Sequence, residues 1–320
     1  MLARLQQVTT LGLILTAALW AGWLLHAGEP LWAVAGSALL IFGYAIFLGV
    51  EFLLLRVVNR DDPAPPASAR QLLHAWCGEV WTAPLVFCWR QPFRSRAVAD
   101  WLPQPSARTA MRGVVLVHGF LCNRGLWNPW MQRLRAASVP YVALNLEPVF
   151  ASLDAYPPCI EEAVRRVESA TGRAPVIVAH SMGGLAVRAW LSRCDAVERV
   201  HRVVTIGTPH RGTWLGRYAF TRNGIEMRLD SPWQRQLAAL ELHRQRLDPR
   251  GATRFTCFYS HCDNVVFPAS TATLPGADNR HVAGSAHVHL AFEPAVFDEV
   301  LRRVAEPDLS PSERRAISSA

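Results

Sequence analysis

The sequence predicts an α/β architecture, a mostly parallel sheet flanked by helices, preceded by two transmembrane helices. Three observations carry this. Two long stretches within the first fifty residues hold no charged side chain. From Gly113 onward, short β-rich runs alternate with helical patterns, as βαβ units do. Across 320 residues, 51% hydrophobic content against 18% charged leaves ample apolar surface for a large core.

Residues 8–25 and 31–50 are the two uncharged stretches. The second, of twenty residues, has the length a spanning helix needs. Only His26-Ala27-Gly28-Glu29-Pro30 lies between them, enough for a helical hairpin over residues 1–60. Trp20, Trp23 and Trp32 gather at its tip, where an amphipathic ring suits the membrane interface. Arg4 before an apolar stretch also resembles the start of a signal peptide, but the second apolar run argues against cleavage and release. Arg4, Arg56 and Arg60 flank the spans and the tip has no basic residue. By the positive-inside rule both ends face the cytoplasm, with a periplasmic catalytic domain as the alternative.

Residues 61–70 read as a proline-stiffened linker, through Pro63, Pro65 and Pro66. Residues 71–111 follow, rich in Trp76, Trp81, Trp89, Phe93 and Trp101 and in Arg90, Arg94 and Arg96. Two readings stay open for this segment: a surface-bound amphipathic element on anionic lipid, or a leading segment packed on the core. The net charge of +8 is carried by arginine alone, the sequence having no lysine. Those arginines are scattered and accompany no nucleic-acid-binding module, so nucleic acid is not expected as a partner. Seven cysteines show no metal-like spacing and read as small buried hydrophobes in a reducing compartment.

Strands are expected at residues 114–117, 141–144, 176–179, 200–206 and 255–259, with helices over 160–170 and 185–193, all within a domain spanning 112–306. The strand ending at Ala179 runs into His180-Ser181-Met182-Gly183-Gly184 and then a helix. A serine on so tight a strand-to-helix turn is pushed clear of the sheet, the G-x-S-x-G geometry, here with Ala179 at the first position. Upstream, Val117-His118-Gly119-Phe120 closes an apolar strand. A main-chain N–H from that loop and the N–H after the serine can bind an oxyanion; Phe120 and Met182 supply them. Downstream, Asp263 follows the 255–259 strand and His287 lies in Gly-Ser-Ala-His. The order Ser181, Asp263, His287 suits a nucleophile, an orienting acid and a general base. His281 and His289 are rival bases; in an extended stretch His287 and His289 would face opposite ways.

After the next strand comes Gly207-Thr208-Pro209-His210-Arg211-Gly212-Thr213. With His-Gly-Phe, Ala-His-Ser-Met-Gly-Gly, Asp263 and Gly-Ser-Ala-His, this set resembles bacterial triacylglycerol lipases and esterases of the α/β-hydrolase fold over residues 112–304. The resemblance implies a serine carboxylic ester hydrolase with an acyl-enzyme; the hairpin, outside the resemblance, places it at a bacterial inner membrane and favours lipid or other apolar esters as substrate. It implies a lid over 214–250 and supporting roles for His118, Gly119, His180, Gly183 and His210. No cofactor is called for, and with no acidic cluster in sight no structural calcium is expected. The same triad could serve acyl transfer or cleave a thioester or amide, and a decayed site would leave a membrane scaffold or transport-associated protein. Residues 307–320 read as a flexible tail.

Overall fold

The computed structural model describes residues 1–102, 111–194, 199–245 and 252–307. The end of the leading segment (103–110), the end of the expected lid (246–250) and the tail beyond 307 lie outside the described residues.

Two helices, α1 (Leu2–His26) and α2 (Pro30–Val58), form the hairpin. At 1.5 Å per residue they are about 37 and 43 Å long, more than a bilayer's hydrocarbon thickness. Apolar side chains such as Val8, Leu15, Phe42 and Phe47 are exposed rather than packed in a core. The helices meet where the Trp20 indole donates to the Trp32 carbonyl at 3.1 Å and packs against Gly36. A Cβ there would fall 2.0 Å from the ring, so glycine is what permits the approach. α2 runs beyond the expected span, and its last turns bury Phe52 and Leu55.

The 61–70 segment is docked, not free: Asp62 accepts from the Ser270 amide and the Pro65 carbonyl lies 2.9 Å from His261 Nδ1. α3 (Ala69–Pro84) starts at a reciprocal cap in which Gln71 N donates to Ser68 Oγ and Ser68 N to Gln71 Oε1. A π-helical stretch (Leu85–Arg90) leads into α4 (Gln91–Arg94). The segment packs on the core along one side only. Ala75, Glu79, Thr82 and Val86 are buried, while Trp81 and Trp89 are exposed. It also rests on the hairpin, through Trp76 Nε1 to the Ala45 carbonyl and Gln7 Nε2 to the Pro92 carbonyl.

The sheet is built of β1 (Val114–Val117), β2 (Tyr141–Ala143), β3 (Val176–His180), β4 (Arg202–Ile206), β5 (Phe255–Tyr259) and β6 (Asp278–His281), all parallel, in the order β2-β1-β3-β4-β5-β6. Helices α5 (Asn128–Ala136) and α11 (Pro294–Ala305) cover one face; α6 (Pro157–Thr171) and α7 (Met182–Arg193) cover the other. Along β1, Val114 and Leu116 enter the first core while Val115 and Val117 enter the second. Covering both faces is why the central strands are uninterrupted apolar runs without alternation. β6 was not expected: Asp278-Asn279-Arg280-His281 is polar because it is the edge strand.

Over 214–245 the chain forms a 3-10 turn (Trp214–Tyr218), α8 (Arg222–Glu226) and α9 (Pro232–Gln245). This cap is tied down by Asn223 to the Val149 carbonyl, by Glu226 to Ser152 and Leu153, and by a bidentate Arg188–Glu241 pair. The last short helix, α10 (His287–Leu290), sits between β6 and α11. Three of the seven cysteines, Cys77, Cys88 and Cys194, are exposed, contrary to the expectation of burial, and all seven are free.

Candidate active site

Loops leaving the carboxyl ends of β1, β3, β4, β5 and β6 converge on one edge of the sheet, where ligands bind in open parallel sheets. Ser181, between β3 and α7, has φ 54° and ψ −130°, a backbone region that costs about 1–3 kcal/mol for a side chain other than glycine. The turn is over-determined by its neighbours. Ser181 N donates to the Ile206 carbonyl at 2.8 Å, and the Ser181 carbonyl accepts from Gly184 N at 3.0 Å and Thr208 Oγ1 at 2.9 Å. Ala179 at the first motif position is fully buried within the core, so its methyl is accommodated.

The three residues expected to act together do meet. Ser181 Oγ lies 2.9 Å from His287 Nε2, and His287 Nδ1 lies 2.9 Å from Asp263 Oδ2. With Asp263 ionised, Nδ1 carries the proton and Nε2 is left to accept from the serine hydroxyl. Asp263 is itself held by the amides of Val265 and Val266, which donate to Oδ1 at 3.0 and 2.8 Å. Burial pulls the His287 imidazole down, but the charge and hydrogen bond of Asp263 outweigh it and raise its affinity for a proton above the usual. Gly207, at φ 55°, makes room for the pair: a Cβ there would lie 2.8 Å from Asp263 Oδ2.

The rivals are elsewhere. The 287–289 stretch is a helical turn rather than extended, and it carries the His289 ring toward His74 and Glu293. His281 meets His261 edge-on, ring centroids 4.5 Å apart.

Gly119 packs directly on the serine, where a Cβ would fall 2.7 Å from Ser181 Cβ, and Gly183 packs on the His118 carbonyl. The amides of Phe120 and Met182 donate to no group among the described residues, Met182 being the first residue of α7. His118 is pushed down to about 4, chiefly by burial; its Nε2 accepts from Leu146 N while Nδ1 meets the Gly119 carbonyl. His180, pushed down to about 3 by burial, holds the His287 carbonyl through Nε2. His210 is buried against Thr205 and Arg188, away from the triad, so it braces β4 and α7.

Three further side chains hold the base, and sequence reasoning gave none of them this role. The Glu79 carboxylate of α3 accepts from the amides of Val288 and His289 at 3.0–3.1 Å, capping α10 just behind His287. Asn264 Oδ1 accepts from His287 N at 3.2 Å, and Asn264 Nδ2 donates to Glu51 Oε2 at 2.7 Å.

Burial pushes Glu79 up to about 7 against these hydrogen bonds and the neighbouring imidazole. A carboxyl that binds its proton more tightly when folded gives stability that is full below its ordinary value near 4.5 and is lost as pH rises through about 7. The shift corresponds to about 3 kcal/mol at most. Glu79→Gln is therefore expected to flatten the fall in the thermal unfolding midpoint between about pH 5 and 8; a midpoint with unchanged pH dependence contradicts this.

Residues 114–312, more than half of the chain, match the model of the alpha/beta hydrolase family, and the chain belongs to that family. It is thereby a hydrolase. Among solved structures it is similar to the mature form of Bacillus licheniformis lipase BlEst2, at 16% identity over 63% of this chain and 94% of that one, with a TM-score of 0.50. It is also similar to Aspergillus fumigatus lipase B, at 17% identity over 68% of this chain and 62% of that one, with a TM-score of 0.52. At these identities the likeness is one of fold. None of the curated proteins matches the chain.

Proposed function

We propose that this chain is a membrane-anchored serine carboxylic ester hydrolase acting through an acyl-enzyme on lipid or other apolar esters. The observation that carries the reading is the continuous hydrogen-bonded line from Ser181 through His287 to Asp263, at 2.9 Å for each link, with the serine on a strained turn. His287 Nε2 takes the hydroxyl proton as Ser181 Oγ attacks the ester carbonyl, and Asp263 stabilises the imidazolium. The amides of Phe120 and Met182 receive the oxyanion. The alcohol leaves with the proton from His287, and water then returns along the same path to release the acid.

The substrate class follows from the hairpin. Two helices with exposed apolar surfaces hold the catalytic edge at a bilayer, where acyl esters are concentrated and each encounter is confined to two dimensions. The lipases it resembles in fold favour the same class, and the flanking arginines favour a cytoplasmic catalytic domain.

The test uses the full chain, because residues of the hairpin and of the 61–70 segment contact the loops that carry the site. Reconstituted in nanodiscs holding diacylglycerol or phospholipid, the wild type is expected to release fatty acid while Ser181→Ala does not. Release from water-soluble esters alone, with no lipid turned over, would refute the lipid reading.

A further inference from the structure

The hairpin does more than hold the domain near a bilayer. A plain anchor would end in apolar residues and interfacial arginines, as this one does at Arg56 and, just past α2, at Arg60. Yet directly after the uncharged run 31–50 comes Glu51, a carboxylate followed by Phe52-Leu53-Leu54-Leu55. A carboxylate in such surroundings loses hydration and needs a compensating partner. Its partner is Asn264, the residue after the triad's acid. Asn264 Nδ2 donates to Glu51 Oε2 at 2.7 Å, and the other end of the same amide, Oδ1, accepts from the main chain of His287 at 3.2 Å. Asn264 is fully buried, so both ends of its amide are committed within the protein.

Two independent contacts support this register. Phe52, next along α2, packs in one small core with Ala75, Cys262 and Ala286, the residues immediately before Asp263 and before His287 among them. About two turns further on, Asn59 brackets the acid loop, donating through Nδ2 to the His261 carbonyl at 3.4 Å and accepting from Ala269 N at 3.1 Å. α2 and the turn that ends it thus touch the acid loop at its start, middle and end, and reach the base through one amide.

We propose that Glu51 is a positioning residue of the active site: by fixing the Asn264 amide it sets the main chain of His287, so that catalytic competence depends on the docked membrane helix. This rests on the triad reading above. Without an acceptor at Glu51 the Asn264 amide has no reason to keep Oδ1 toward His287. The imidazole then drifts from the line between Ser181 and Asp263, and a displacement of about 1 Å can cost on the order of a hundredfold in rate.

The experiment compares wild type, Glu51→Ala, Glu51→Gln and Glu51→Asp as full chains in detergent, with p-nitrophenyl butyrate, a soluble ester that removes substrate delivery from the measurement. Glu51→Ala is expected to lower kcat about ten- to a hundredfold with KM nearly unchanged. Glu51→Gln, whose amide oxygen still accepts from Asn264, is expected to recover most of that loss. A folded Glu51→Ala with wild-type kcat, or a Gln variant as impaired as the Ala variant, would overturn the proposal. Should Glu51→Ala fail to fold, Glu51→Asp decides: one methylene short, it should lose kcat at constant KM, and wild-type kcat would overturn the proposal. An inactive wild type that no fluorophosphonate labels would instead remove the triad reading itself, a result visible before any Glu51 variant is measured.

Discussion

Ser181→Ala is expected to lower kcat for ester hydrolysis by about 10⁶-fold, on the scale seen when a triad nucleophile is removed, while leaving the unfolding midpoint nearly unchanged. The first half follows from the chemistry. Without Oγ there is no acyl-enzyme, and His287 can at best activate water in the space left behind. The second half follows from the turn. The hydrogen bonds that hold residue 181 at φ 54° are made by its backbone, from its amide to Ile206 and from Gly184 and Thr208 to its carbonyl, and alanine keeps them. Only the 2.9 Å bond to His287 is lost. A steady-state assay beside a thermal melt separates the two effects. Retention of even a tenth of wild-type kcat would place the nucleophile elsewhere.

Asp263→Asn is expected to lower kcat by about 10⁴-fold and to change the pH profile in a defined direction. In the wild type the base must be neutral to act. Burial lowers its proton affinity, but Asp263, with smaller contributions from Glu79 and Glu51, raises it past the ordinary value. The acid limb of kcat/KM should therefore lie above about pH 6.5, activity falling as pH drops through it. Asparagine removes the main raising cause and leaves burial less opposed, so the residual activity should persist to lower pH. Its amide can also present N–H to Nδ1, which favours the tautomer that cannot accept from Ser181. An acid limb that stays in place or moves upward would contradict the electrostatic account of the pair.

The central strands were legible because burial on both faces writes itself as unbroken apolar sequence, as in Val176-Ile177-Val178. The edge strand over Asp278–His281 left no such trace. The serine of the candidate site was legible from local context, a strand, a tight small-residue turn and a helix, and the carboxylate and imidazole that meet it from their order in the chain. The preference for His287 over His289 was legible, but not its structural reason: the stretch is helical, α10 beginning at His287 with its amides at Val288 and His289 capped by a carboxylate more than 200 residues upstream. Glu51 and Asn264 are likewise 213 residues apart. No periodicity or motif links positions at that separation. The one hint was the presence of Glu51 at the end of an otherwise uncharged span, where a carboxylate is costly unless something meets it.

The most direct test of the account is to label the full chain in detergent with a fluorophosphonate and locate the adduct by mass spectrometry. Because the sequence has no lysine, trypsin cuts only at arginine and releases Ser181 within residues 174–188, a fragment holding no other serine. The account predicts one adduct, on that fragment, absent from Ser181→Ala. No adduct on an intact wild-type chain, or equal labelling of the alanine variant, would contradict it.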